Sequence, residues 1–441
     1  MKDYLTILGA GLAGSEAAWQ AAERGVSVVL YEMRPTKPTA AHKTDHCAEL
    51  VCSNSLGNNQ SPSAPYLLKE ELRRFNSLVI NAGDTHSVPA GAALAVDRDL
   101  FSKKITEQLL KHPNITLIRE EVLEIPSEGP VIVATGPLTS PSLSESISRL
   151  IGQEYLYFYD AISPIIDANT IDYNKTFFAS RYDKGTDDYL NCPLNEGQYY
   201  ALVNELKISE KVPFKSFEKP IYFEGCMPVE ELAIRGDKTL AFGPLKPVGL
   251  LHPETKEQFY AVVQLRHENK DGTAYNIVGF QTKLTYPEQK RVIRMIPGLE
   301  SAEFFRFGAI HRNTYINAPD VLSCDLDLKN NRGIYFAGQI IGVEGYVESV
   351  SMGLLASLSA VKKIKGEKYS SPPVDTALGS LLKYVTENRR QSFQPMNINY
   401  GLFQVHEMKI KDKRERNKKI ELKALNSLSQ WMNTIDGELV K

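Results

Sequence analysis

Residues 4–8 are an apolar run that ends on Gly9. Beyond it, residues 15–24 are dominated by Ala, Glu and Gln, which are good helix formers, and Gly25 suits the position just past a helix end. A second apolar run, residues 26–31, stops at the acidic Glu32. The pattern predicts a strand, a helix and a second strand, with Gly9, Gly11 and Gly14 at the first turn and Ala10, Leu12 and Ala13 between them. Residues 35–66, rich in Pro, Thr, Asn and Ser, read as a long loop, and residues 67–82 as helix. Residues 130–134 form an apolar strand closing on Thr135 and Gly136, and residues 155–183 are aromatic and strand-like. From about 186 to 303 the pattern mixes Pro, Gly and short strand signals, as an inserted domain would. A last strand, residues 334–337, enters Gly338, Gln339, Glu344, Gly345 and Tyr346, and a helix of small residues follows.

The glycine spacing has a mechanical meaning. Gly9 permits the tight turn, Gly11 lets a pyrophosphate approach the backbone, and Gly14 lets helix and strand pack closely. The helix start offers free N–H groups and the positive end of its dipole to phosphates. Glu32, 18 residues past Gly14, is placed to accept from ribose hydroxyls. The two glycine-rich strand-to-helix turns lie more than 300 residues apart in sequence, so the nucleotide fold is split by an insertion. That split favours FAD over NAD as the held dinucleotide. The expected fold is α/β: an FAD-binding, Rossmann-like, doubly wound domain interrupted by an inserted α+β domain, with a helical C-terminal tail. The expected boundaries are 1–185 and 305–365 for the two parts of the FAD domain, 186–304 for the insertion and 366–441 for the tail.

Composition changes this picture little, and charge changes it locally. Of the 441 residues 42% are hydrophobic and 24% charged, which excludes wholesale disorder. No apolar run reaches the length of a membrane-spanning helix, and a cytoplasmic location with no membrane partner is expected. The net charge is −2, yet residues 362–441 hold 16 Lys+Arg against 9 Asp+Glu. Only the tail is basic, so a polyanion would be met there. Five cysteines, at 47, 52, 192, 226 and 324, give neither a disulfide framework nor a zinc spacing, and no metal site is expected.

A series of ordered strings carries a resemblance: GAGLAGSEAAWQ, YEMRP, AELVCSNSL, LLKEELRRFNSL, VPAGAALAVDR, ATGPLTSP, SRYDKG, YLNCP, FEGCMP, FGPLKPVGL, YNIVGFQTKL, MIPGLE and FAGQIIGVEGYVES. Together they closely resemble the folate- and FAD-dependent tRNA uracil-5-methyltransferases, from residue 4 to about 360. The resemblance implies transfer of a one-carbon unit from 5,10-methylenetetrahydrofolate to carbon 5 of uracil-54 in the tRNA T-loop, giving 5-methyluridine. It also implies electrons from reduced FAD and reduction of the flavin by NAD(P)H. The chemistry is coherent: a thiolate adding at carbon 6 turns carbon 5 into a nucleophile, and that thiol needs an electropositive setting. By the resemblance Cys226 and Cys52 are the functional thiols, with Cys226 as nucleophile and Cys52 as partner, or the reverse, and Tyr346 is the aromatic beside the flavin ring. His42, Asp45, Asn54 and Arg98 lie in matching motifs, as site residues or loop scaffold. Cys192 and Cys324 read as core packing.

Two positions depart from the family pattern: Gly57 stands where members carry Arg, and Cys47 where they carry an aromatic. One alternative is therefore the same chemistry on a ribosomal RNA uridine. Another is a flavin-dependent thiol/disulfide oxidoreductase using Cys47 and Cys52. Oligomeric state is not legible. Seven cations between Lys409 and Lys419 predict a basic, RNA-facing helix in the tail.

Overall fold

The computed structural model describes residues 4–39, 41–127, 129–183, 186–213, 221–222, 224–387, 393–404 and 410–435. Its centre is a five-stranded parallel sheet in the order Ile334–Phe336, Val131–Val133, Tyr4–Leu8, Ser27–Tyr31 and Ile115–Ile118. The strands are short and apolar on both faces, as a sheet covered by helices requires. The first helix, Leu12–Glu23, lies against the late helix Tyr346–Ile364. Both carry small residues where they meet, and that permits close approach. A Cβ on Gly353 would stand 2.2 Å from the Ala13 carbonyl oxygen, and the Ser357 hydroxyl donates to the Ala17 carbonyl at 2.8 Å. This contact brings the first and the last glycine-rich turns to one end of one sheet.

A second sheet, antiparallel and six-stranded, runs Phe177–Phe178, Tyr189–Leu194, Ala261–His267, Ala274–Ile277, Ile165–Asp167 and Phe304–Arg306. It has its own core, with Tyr199, Tyr275 and Phe280 among its buried side chains. Strands Ile165–Asp167 and Phe177–Phe178, placed by sequence in the first part of the FAD domain, pair into this sheet. Their apolar residues, Ile166 and Ile171 among them, pack in the second core, so the chain enters that body about twenty residues before 186. A two-stranded ribbon, Leu156–Ala161 with Ile310–Tyr315, joins the two bodies.

The C-terminal region is no loose tail. Leu378, Leu381, Leu428 and Trp431, from helices Ala377–Glu387 and Lys413–Ile435, are buried in the first core. Lys411, Lys413, Arg414, Lys418 and Lys419 are exposed, while Lys409 lies outside the described residues. Among the described residues no helix is long and apolar enough to cross a membrane.

Candidate active site

The first turn fits a dinucleotide at three points. Gly9 has φ +95°, and a Cβ there would meet the Ala134 carbonyl oxygen at 2.8 Å. A Cβ on Gly14 would stand 1.8 Å from the Gly9 oxygen. At Gly11 the same atom would meet nothing within 4 Å, because Gly11 faces an open cleft. That cleft encloses about 1060 Å³ to its mouth, a large space for a small-molecule site. Gly9, Gly11, Leu12, Ala13, Glu32, Thr135, Gly136, Gly338, Gln339 and Tyr346 line it, along with His42. Ala10 acts from behind, its N–H donating to Glu32 Oε2 at 3.1 Å. Burial alone would raise the Glu32 pKa, but hydrogen bonds from Arg34, at 2.9 and 3.1 Å to Oε1, hold it below the usual range. Glu32 is therefore a preformed acceptor. Burial, with Arg34 adding to it, pushes His42 down to about 4, leaving a neutral imidazole in the wall.

A second pocket adjoins the first, and Gln339 and Tyr346 line both. It holds Cys52, Cys226, Glu344, Gly345 and Gly57. Cys52 and Cys226 are 174 positions apart in sequence, yet their Sγ atoms and an Asp160 carboxylate oxygen lie within 4.8 Å of one another. The Cys52 N–H donates to the Tyr346 hydroxyl at 2.8 Å, and the Arg98 guanidinium donates to the Cys52 carbonyl at 2.9 Å. Arg98 also bonds the Leu50 carbonyl and pairs with Glu268, and Arg306 bonds the Val51 carbonyl. The arginines thus clamp the loop and face Cys52 with positive charge. Cys226 ends the short turn Glu224–Cys226. Just beyond it the Glu230 carboxylate accepts from the Lys283 N–H at 2.7 Å and the Thr282 hydroxyl at 2.9 Å, anchoring the next helix.

The two thiols differ in setting. A hydrogen bond to Cys52, burial, and the negative charges of Asp160 and Glu344 push Cys226 well above the ordinary thiol range. Burial lifts Asp160 to about 6, against a hydrogen bond from the Cys226 thiol. Burial and then Asp160 raise Glu344, whose Oε2 accepts from Gln339 Nε2 at 2.8 Å.

Other candidates separate cleanly. Asn54 is a strut: its amide donates to the Val96 and His267 carbonyls at 2.9 Å each, and its oxygen accepts from Arg266. Asp45 is exposed and lines neither pocket. Cys47 is buried in the first core and also lines neither, which removes the Cys47–Cys52 dithiol from the cleft. Cys192 is buried in the second core. Cys324, read as core packing, is instead exposed, on a turn where its Sγ faces Asp325 at 3.8 Å. Sequence reasoning missed Asp160, although an acidic residue closing the aromatic run at 155–160 was a signal. It also missed His311 and Asn313, which the strand pairing sets beside Asp160.

A doubly wound sheet, a glycine turn with an acidic acceptor, and a second glycine-rich helix entry define an FAD-binding protein with a thiol pair beside its cleft. The family model for GIDA, glucose inhibited division protein A, matches residues 4–368. The methylenetetrahydrofolate–tRNA-(uracil-5-)-methyltransferase TrmFO of Natranaerobius thermophilus is 56% identical over 428 residues, 97% of this chain and 99% of that one. Its namesake in Geobacter sulfurreducens is 55% identical over 436 residues, 99% and 100% of the two chains. The GidA structure from Aquifex aeolicus superposes with a TM-score of 0.72 at 17% identity, over 98% of this chain and 73% of that one, which speaks for the fold. The chain belongs to the methylenetetrahydrofolate–tRNA-(uracil-5-)-methyltransferase family.

Proposed function

We infer that the protein moves a one-carbon unit from 5,10-methylenetetrahydrofolate to carbon 5 of uracil-54 in the tRNA T-loop. The observation that carries the chemistry is the meeting of Cys52, Cys226 and Asp160 in a pocket that shares Gln339 and Tyr346 with the dinucleotide cleft. FAD, held by the Gly9–Gly14 turn, Glu32 and the Gly338–Tyr346 segment, supplies the electrons that make the transferred carbon a methyl group. NAD(P)H is the proposed source of those electrons.

Cys226 is the proposed nucleophile. Its thiol is a poor acid where it sits, so it needs an acceptor within reach, and both Cys52 and Asp160 are. Once deprotonated, a thiolate of high pKa is also the stronger nucleophile. It adds to carbon 6, carbon 5 attacks the one-carbon unit as that unit's bond to its donor nitrogen breaks, the carbon-5 proton leaves to the base, and expulsion of the thiolate leaves an exocyclic methylene that a hydride converts to methyl. The arginines around Cys52 favour a second reading in which the roles are exchanged, because a negative charge on Cys52 faces Arg98 and Arg306.

Two measurements test this reading. Mass mapping of 5-methyluridine in total RNA, with and without the protein, should show loss at T-loop position 54. Loss in ribosomal RNA instead would move the substrate. A 5-fluorouridine RNA, which cannot give up a carbon-5 proton, should trap the nucleophile as an adduct. Peptide mapping to Cys226 supports the assignment, and mapping to Cys52 reverses it.

A further inference from the structure

On the other side of Pro65 from the thiols lies a separate concavity, enclosing about 1470 Å³ to its open mouth. Its walls are the first turn of helix Ala64–Arg74, the segment 398–403 and the start of helix Lys413–Ile435. It shares a wall with the thiol pocket: Pro65 lines both, and Asn397 lines one while Ile398 and Asn399 line the other. Lys413 and Arg416 line it, and among the described residues neither has an acidic partner. The nearby Glu421 is held by the Ser61 hydroxyl at 2.9 and 3.0 Å. The 11-residue helix Ala64–Arg74 adds the positive end of its dipole. Two wall groups are unsatisfied. Asn417, 8% exposed, has an Oδ1 without a hydrogen-bond partner, and the buried Tyr400 hydroxyl has none either. Buried polar atoms are nearly always paired, so these two residues of the lining carry unspent hydrogen-bonding capacity.

We propose that this concavity seats a nucleotide of the RNA substrate flanking the uridine held at the thiols. Lys413 and Arg416 take its phosphate, and Asn417 and Tyr400 take a base edge or ribose hydroxyl. A chain-connected ligand is favoured over a free nucleotide because the concavity and the thiol pocket share a wall. The proposal rests on the RNA reading above. It assigns recognition beyond the modified base to the C-terminal helix.

The experiment uses the full chain with its flavin and measures binding of a T-arm hairpin RNA by fluorescence anisotropy. Arg416→Gln and Asn417→Leu should each weaken RNA binding about tenfold, and Arg416→Gln should also lower the log–log salt slope by roughly 0.7 to 0.9. Both should keep the wild-type melting temperature and flavin content. Asn417→Leu guards against misfolding, since it removes an unpaired buried oxygen and fills similar volume. Lys423→Gln, outside the concavity, should bind as wild type. RNA affinities within about twofold of wild type for both variants would overturn the proposal. So would uridine monophosphate binding more weakly to the variants than to wild type while RNA binding is unchanged, which would mark a free-nucleotide site. Binding is read without turnover. If the variants lose RNA but wild type makes no 5-methyluridine, the methylation reading fails and the concavity stands.

Discussion

Gly11 has room for a side chain and a φ of −70° that any residue adopts, so its glycine serves the ligand and not the fold. Gly11→Val should therefore melt as wild type yet purify colourless, its isopropyl group standing where the pyrophosphate must approach. Full flavin content in that variant would remove the turn from the cofactor site. Gly14 is the contrast: a Cβ there meets the Gly9 backbone, so substitution breaks the turn itself. Asp160 governs a different quantity. It accepts a proton only as a carboxylate, and burial holds its pKa at about 6. Methyl transfer should thus rise with pH through about 6, because below that value Asp160 is already protonated. Asp160→Asn should remove that acid limb and slow methyl transfer by about 10² to 10⁴. An unchanged rate and limb would exclude Asp160 from the proton path.

The strand–helix–strand start was legible because its glycines, apolar runs and acidic end point to one answer at every level. The long helix expected over 67–82 is in fact two, Ala64–Arg74 and Leu78–Thr85. Asn76 turns left-handed at φ +52° and Ser77 caps the second helix by accepting from the Ile80 N–H, so helix-forming residues alone could not show the break. The thiol pair was legible only by resemblance. Nothing local says that Cys226 will reach Cys52, and Asp160 arrives beside them on a strand whose register is set about 150 residues later by Ile310–Tyr315. Docking of the C-terminal helices was equally hidden, because it depends on a buried carboxyl group elsewhere in the chain, which burial lifts to about 8. Glu71 is fully buried and accepts from the Ala377 and Leu378 N–H groups at 2.7 and 2.8 Å, capping helix Ala377–Glu387. Glu71→Gln turns one acceptor into a donor against an N–H. It should cost about 1–3 kcal/mol, seen as a lower urea midpoint with flavin retained. An unshifted midpoint would show that the cap carries no weight.

Across the whole molecule, one core fixes two recognition problems in relation to each other. The first core contains the dinucleotide sheet and also Leu428 and Trp431 of the C-terminal helix, so the basic face is held rigidly to the flavin cleft. Trp431 packs edge-on to Phe75 with ring centroids 5.6 Å apart and donates to the Ser370 carbonyl at 2.9 Å. Those contacts anchor one side of the helix. At its start Lys413, Arg414 and Lys418, with Lys411 just before it, remain exposed, in a chain whose overall charge is −2. Such a local field attracts a polyanion to one face and leaves the rest of the surface indifferent. Changing these four residues to Glu should weaken tRNA binding and flatten its salt dependence, each lost phosphate contact removing roughly 0.7 to 0.9 from the log–log slope. The proposed flavin reduction by NAD(P)H should stay at the wild-type rate, because none of the four residues lines the dinucleotide cleft. Unaltered tRNA affinity at low salt would reduce the charge run to an ordinary solvated helix face, and RNA recognition would then have to reside in the loops around Cys52 and Cys226.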